Sequence, residues 1–140
     1  MYDRDENKLT QLIEETGFRI GGLHQLLMMQ QSTSEWQQAI EIAEKLVRLG
    51  KDKQKIDIAH FYCELALQAM SSDDLDRAMS LLKKGEGYDR NSARISIMTG
   101  RILMEREEYA KAAERLQKVL EQDVELVSEM LPMLDICYRR

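Results

Sequence analysis

The sequence has one proline, Pro132, and only seven glycines among its 140 residues. Proline is the strongest helix breaker and glycine the next, so this scarcity removes most reasons for a helix to stop. There are two cysteines, Cys63 and Cys137, each isolated within a helical pattern. No disulfide framework or paired-cysteine zinc motif fits them, and a reduced, cytosolic setting is expected. Aromatic residues make up 6% of the chain. Its longest apolar runs, such as Leu26-Leu27-Met28-Met29, span four residues, far short of the ~20 that cross a bilayer. No signal-peptide pattern opens the sequence. A basic surface is also lacking, because the net charge is -5. Duplex nucleic acid is held by phosphate neutralisation, and an acidic chain does not provide it. The five basic residues between Arg101 and Lys118 are interleaved with Glu105, Glu107, Glu108 and Glu114, which describes a solvated helix face.

Strong helix formers fill the space left by these absences. Hydrophobic residues make up 44% and charged residues 32%, enough to bury a core rather than remain disordered. An all-α fold follows. Three segments then share one pattern: an aromatic or leucine, alanine three residues on, and further small or apolar residues four and seven beyond it. They are Trp36-Ala39-Ala43-Leu46, Leu75-Ala78-Leu82-Gly85 and Tyr109-Ala112-Leu116-Val119. The first alanines are separated by 39 and then 34 residues. Thirty-four is the period of tetratricopeptide helix pairs. The five extra residues fall in Leu49-Gly50-Lys51-Asp52-Lys53-Gln54, which reads as a longer loop.

A second helical pattern lies upstream of each alanine. Twelve residues before it stand Leu27, Ala66 and Gly100, and sixteen before it stand Leu23, Tyr62 and Ser96. Small residues there let the two helices of a pair approach closely. Glycine inside a helix costs about 1 kcal/mol relative to alanine, so Gly100 is expected to have a packing reason. Leu27 departs from the rule, and the first pair should cross less tightly.

These patterns predict about eight antiparallel helices, near residues 3–15, 18–31, 35–49, 54–70, 74–86, 92–104, 108–121 and 125–139. The fold class is a tetratricopeptide-type solenoid, a right-handed superhelix in one array over residues 1–140. Half a repeat at 1–16 precedes repeats near 18–50, 54–88 and 91–123, and another half follows at 124–140. In the first half, Tyr2 matches the aromatic but Asp5 stands in the alanine place. Ser34 with Gln37 reads as a capping box, and Ser72-Asp73-Asp74 as another helix start. Gly17, Gly50 and Gly87 are expected as left-handed terminators. Pro132 is expected to kink the last helix or delay its start.

The central stretch resembles a more specific family. Its signature is Thr33-Ser34-Glu35-Trp36-Gln37-Gln38-Ala39-Ile40, Leu49-Gly50-Lys51-Asp52-Lys53-Gln54, Ile58-Ala59-His60-Phe61-Tyr62-Cys63-Glu64-Leu65-Ala66 and Asp73-Asp74-Leu75-Asp76-Arg77-Ala78. Together with Phe18-Arg19-Ile20-Gly21 and Tyr109-Ala110-Lys111-Ala112, these residues resemble the lipopolysaccharide assembly protein B family, bacterial heat-shock proteins also called YciM. The resemblance implies a membrane anchor, cytoplasmic repeats and a rubredoxin-like zinc module in the parent protein, with this chain matching the middle repeats. No residue here carries over to the zinc site, so no cofactor is expected in this chain. The implied role is a non-enzymatic adaptor that limits lipopolysaccharide synthesis by promoting proteolysis of the lipid A deacetylase through the membrane AAA protease FtsH. A cytoplasmic location is implied for the chain, with the parent at the inner membrane.

The expected partner surface is the concave face lined by the first helix of each pair. Counted back from the alanines, it includes His24, Gln25 and Met28, then His60, Cys63, Glu64 and Leu67, then Arg94, Ile97, Met98 and Arg101. Methionines adapt to irregular partners and the arginines suit carboxylates. The competing reading is that several of these residues merely pack between neighbouring pairs. His60, Cys63 and Glu64 at i, i+3 and i+4, with His24 from the next pair, are metal-ligand types, but groove or packing roles explain them equally well. No catalytic constellation or phosphate loop appears in the sequence. A chaperone adaptor that grips acidic peptide C-termini is the alternative function. His24, Cys63 and Ile97 stand where its polar clamp groups would be needed. Self-association is expected through exposed array ends, around Leu9, Leu12, Met130 and Leu134.

Overall fold

In a computed structural model, the backbone is described for residues 2–140, and the side chains for residue 11 and residues 14–140, except 122 and 124. The described residues form seven α-helices and no strand. They are α1 (Tyr2–Ser32), α2 (Trp36–Arg48), α3 (Gln54–Ser71), α4 (Leu75–Tyr88), α5 (Ala93–Glu105), α6 (Tyr109–Gln122) and α7 (Val127–Arg139). A 3-10 turn, Val124–Leu126, leads into α7. Two compact units divide the chain, Met1–Asp57 and Ile58–Arg140.

In the first unit α2 pairs with α1 and buries Ala39, Ile40, Ala43 and Leu46, the stripe expected from the repeat. The helices expected at 3–15 and 18–31 are one continuous α1. Gly17 has helical rather than left-handed backbone, and a glycine without a left-handed turn only weakens a helix. Of the three expected terminators, only Gly50 has positive φ, at 93°, where Lys51 N–H returns to Leu46 O at 2.9 Å. Gly87 also lies within a helix, α4. The loop from Leu49 to Lys53 is present as predicted.

The second unit holds the pairs α3–α4 and α5–α6, followed by α7. Gly100 on α5 fulfils its packing role. A Cβ there would stand 2.6 Å from Leu116 Cδ2, so the bare backbone is what lets α6 cross so closely. Gly85 does the same for α4, where a Cβ would meet Tyr62 Cβ at 3.0 Å and Ala59 O at 3.4 Å. Beyond the crossing, Ala112, Ala113, Leu116 and Val119 share a core with Met130, Leu134 and Cys137 of α7.

The turns inside the pairs use a device that the residue types did not announce. Ser34, Asp73 and Glu107 have φ of 59°, 58° and 61°. The next residue in each turn donates back to the sixth residue before the helix resumes: Glu35 N–H to Gln30 O (2.9 Å), Asp74 N–H to Ala69 O (2.8 Å) and Glu108 N–H to Leu103 O (2.9 Å). This is a Schellman closure with a non-glycine residue in the left-handed place. Ser34 therefore ends α1 instead of capping α2, whose N-cap, Glu35, makes no side-chain cap bond. Asp74 does cap α4, accepting from Arg77 N–H at 3.2 Å. Pro132 lies inside α7, which begins at Val127, two residues later than drawn from the sequence.

Candidate functional site

The candidate surface begins with which side chains remain reachable. On α1, Gln25 and Met28 are exposed and His24 is half-buried. On α3, His60 and Leu67 are exposed and Glu64 is half-buried, while Arg101 on α5 is exposed. Three of the expected contacts are withdrawn from solvent: Cys63, Ile97 and Met98 are buried. The reason is helical geometry, because these positions turn toward the protein interior. Ile97 joins the core that α6 and α7 share. Met130 and Leu134, expected as an exposed end, are likewise buried, and Leu131, Ile136 and Tyr138 are exposed instead. Leu9 and Leu12 lie outside the described side chains.

Arg94 organises the face of the second unit. Its Nη2 donates to Glu64 Oε1 at 2.7 Å, joining α5 to α3. Its Nη1 lies 3.1 Å from His60 Nδ1. A guanidinium has no acceptor, so in this contact Nδ1 accepts and the ring proton sits on Nε2. Arg101 Nη2 donates to Glu129 Oε1 at 3.2 Å, joining α5 to α7. Both arginines thus hold carboxylates of the chain itself, whereas the sequence led us to expect them to receive a partner's. The Arg101–Glu129 pair is half exposed on both sides, and such pairs contribute about 0–1 kcal/mol.

A second track of ion pairs runs along the other helices. Arg106 pairs with Asp76, and Arg115 pairs with Glu86 through both carboxylate oxygens, one of them at 3.3 Å. The Arg115 hydrogen bond holds the Glu86 carboxyl below its usual range, against the opposing effect of burial. The sequence had offered Arg106 and Arg115 only as part of a solvated mixture of charges.

Cys63, His60 and Glu64 do not converge as metal ligands. Burial pushes the Cys63 thiol up to about 11, although Arg94 pulls it the other way, so the thiolate that binds metal or attacks a substrate is disfavoured at neutral pH. His60 and Glu64 both face Arg94. Among the described residues no cluster of three histidine, cysteine or acidic side chains could hold a metal ion, and no helix is long and apolar enough to cross a membrane.

The helix pairs, their close crossings at Gly85 and Gly100, and the repeated turn define a tetratricopeptide repeat protein. The tetratricopeptide repeat family model matches residues 69–130. Two solved structures share the fold. The TPR2B domain–pHsp70 complex of yeast Sti1 has a TM-score of 0.55 at 16% identity, covering 87% of this chain and 98% of that one. The type III secretion chaperone SycD of Yersinia enterocolitica, in complex with a peptide of the translocator YopD, has a TM-score of 0.56 at 18% identity, covering 84% and 91%. At the level of sequence, the chain is similar to part of lipopolysaccharide assembly protein B. It is 65% identical to that protein of Escherichia coli strain K12 over all 140 residues. To the Haemophilus influenzae protein it is 33% identical over 137 residues, 98% of this chain and 34% of that protein. The chain spans 36% of the length of the E. coli relative.

Proposed function

We propose that the chain is a non-catalytic scaffold that holds a protein partner in the control of lipopolysaccharide assembly. The observation that carries this reading is the 65% identity to lipopolysaccharide assembly protein B along the whole chain. The repeat fold supports this reading, because stacked helix pairs present a surface suited to a protein partner. Within the second unit the partner face takes in His60, Glu64, Leu67, Arg94 and Arg101 on α3 and α5; in the first unit, taken by itself, His24, Gln25 and Met28 on α1 are the candidates. Arg101, and at greater cost Arg94, exchange their internal carboxylates for those of the partner. By family resemblance the partners are FtsH and the lipid A deacetylase, with the scaffold bringing the second to the first at the cytoplasmic face of the inner membrane.

Capture from a Gram-negative lysate, read by immunoblot for the deacetylase and FtsH, tests the proposal. Wild type retains at least one of them, and Arg94→Ala with Arg101→Ala loses it while keeping a native circular dichroism spectrum. Retention of neither by wild type, or equal retention by the double variant, refutes the assigned partner face. The peptide C-terminus reading is weaker, because Cys63 and Ile97 are buried where polar clamp groups are needed.

A further inference from the structure

The net charge of -5 conceals one basic region. From Lys45 to Lys55 the sequence holds five cations and one acid, Asp52. In the first unit Lys45 and Arg48 of α2 share a hollow of about 420 Å³ with Arg19 of α1 and with Leu23 and Leu49. All three cations are exposed. Among the described residues no acid lines the hollow, and none of the three pairs with a carboxylate. The loop beyond adds Lys51 and Lys53, both exposed.

The hollow lies within one helix pair, and the repeat shows why it is open. Leu23 and Leu49 stand 39 residues before Tyr62 and Tyr88. In the second pair those tyrosines stack, with ring centroids 6.0 Å apart. Leucines in their places leave room, so the space is filled or left open by the pair's own residues and not by a neighbouring repeat. Nor does the repeat demand the charges. Arg19 corresponds to Ile58 and Arg48 to Gly87, and only Lys45 has a cationic counterpart, Lys84. Lys45 and Arg48 lie in the last turn of α2, where the helix dipole favours cations. Arg19, inside α1, has no such reason to be there. Three like charges brought to one recess repel one another, and an anion relieves that repulsion.

We propose that this hollow receives an acidic segment of a partner protein, whose carboxylates meet Arg19, Lys45 and Arg48 while an adjacent apolar side chain covers Leu23 and Leu49. The guanidinium fork matches the two oxygens of a carboxylate. Shape and the reach of the field both select a short protein segment over a polyanion. Leu23 and Leu49 are half-buried in a recess that a side chain enters and a flat bilayer does not. Exposed charges act over about 8–10 Å in physiological salt, so a short segment meets the basic region alone. A duplex or a membrane extends further and meets the acids that give the chain its net -5. The surface belongs to the first unit and does not depend on the α3–α5 face.

The probe is a fluorescein-labelled peptide, Glu-Glu-Leu-Glu-Glu-Phe-Glu-Glu, titrated with the 140-residue chain and read by anisotropy. Saturable binding in the micromolar range is expected, about tenfold weaker when salt rises from roughly 50 to 300 mM. Arg19→Glu with Arg48→Glu weakens it by about tenfold. Lys83→Glu with Lys84→Glu changes the net charge equally on the second unit and leaves binding within about twofold of wild type. Leu49→Tyr puts a ring into the hollow and keeps every charge; it weakens binding by about tenfold with a native circular dichroism spectrum. No saturation up to roughly 1 mM, an equal loss in the Lys83 and Lys84 variant, or unchanged binding by Leu49→Tyr overturns the proposal. Sedimentation with phosphatidylglycerol vesicles gives the lipid outcome: capture that Arg19→Glu with Arg48→Glu abolishes makes a headgroup the occupant, and the proposal falls. It falls equally if a longer protein carrying this chain no longer binds the peptide, since one of its own flanking segments is then the occupant.

Discussion

Replacing Gly100 with alanine sets two effects of known sign against each other. Alanine favours a helix interior by about 1 kcal/mol, so the substitution would stabilise an unobstructed helix. Here the new methyl would meet Leu116 Cδ2 at 2.6 Å and Cγ at 2.9 Å. Leu116 is fully buried, and because Cγ as well as a methyl is in the way, a rotation of the tip alone does not clear the space. Overpacking of this kind costs about 1–3 kcal/mol. The net expectation is a loss of about 1 kcal/mol, or a few degrees in Tm for a chain of this size. Gly87→Ala is the control, since nothing lies within 4 Å of its Cβ and it occupies the last turn of α4 without positive φ. There the helix preference acts alone and stability rises by about 0.5–1 kcal/mol. Urea and thermal unfolding followed by circular dichroism measure both. Stabilisation by Gly100→Ala equal to that by Gly87→Ala would refute the close crossing as the reason for the glycine.

Three further expectations rest on single contacts. Glu86 has a folded pKa below its unfolded value, so its contribution is present above about pH 4.5 and is lost as pH falls through the folded value. With the carboxylate partly exposed this is at most about 1 kcal/mol; Glu86→Gln should flatten the acid limb of the stability curve, and an unchanged limb counts against the pair. Asp73→Gly and Glu107→Gly should each stabilise by about 1 kcal/mol, because both residues hold left-handed backbone that glycine adopts freely; destabilisation in urea melts would contradict the turn geometry. Cys63, buried with its thiol raised to about 11, should resist alkylation at pH 8 in the native state and react on unfolding; rapid native labelling in a Cys137→Ala background would show that α3 opens there.

What the sequence revealed, and what it did not, divides along a physical line. The alanine stripe and Gly100 were legible because close helix packing demands small residues at fixed intervals, and an interval can be counted. Local backbone conformation was less so. Gly17 looked like a terminator because glycine permits left-handed backbone, but permission is not requirement, and α1 runs through it. The true left-handed sites, Ser34, Asp73 and Glu107, carry ordinary polar residues whose strain is offset by the closing hydrogen bond after each. Their spacing was visible nonetheless. They fall five residues before Ala39, Ala78 and Ala112, at the same intervals of 39 and 34.

The candidate site follows the same division, one residue at a time. Arg94 and Arg101 suit carboxylates by type and helical position, yet neither type nor position says whose carboxylate. Glu64 lies thirty residues before Arg94 and Glu129 lies twenty-eight after Arg101, offsets that differ from the repeat period by four and six. Pairs of this kind arise from the stagger between neighbouring helices, which a count of equivalent positions does not contain. Cys63, Ile97 and Met98 were misplaced for a related reason. A face counted from one helix pair includes positions that turn into the core, as Ile97 does in joining the residues shared by α6 and α7. Of the residues that sequence counting assigns to a partner surface, Gln25, Met28, His60, Leu67 and Arg101 remain exposed, and these are where a partner is to be sought.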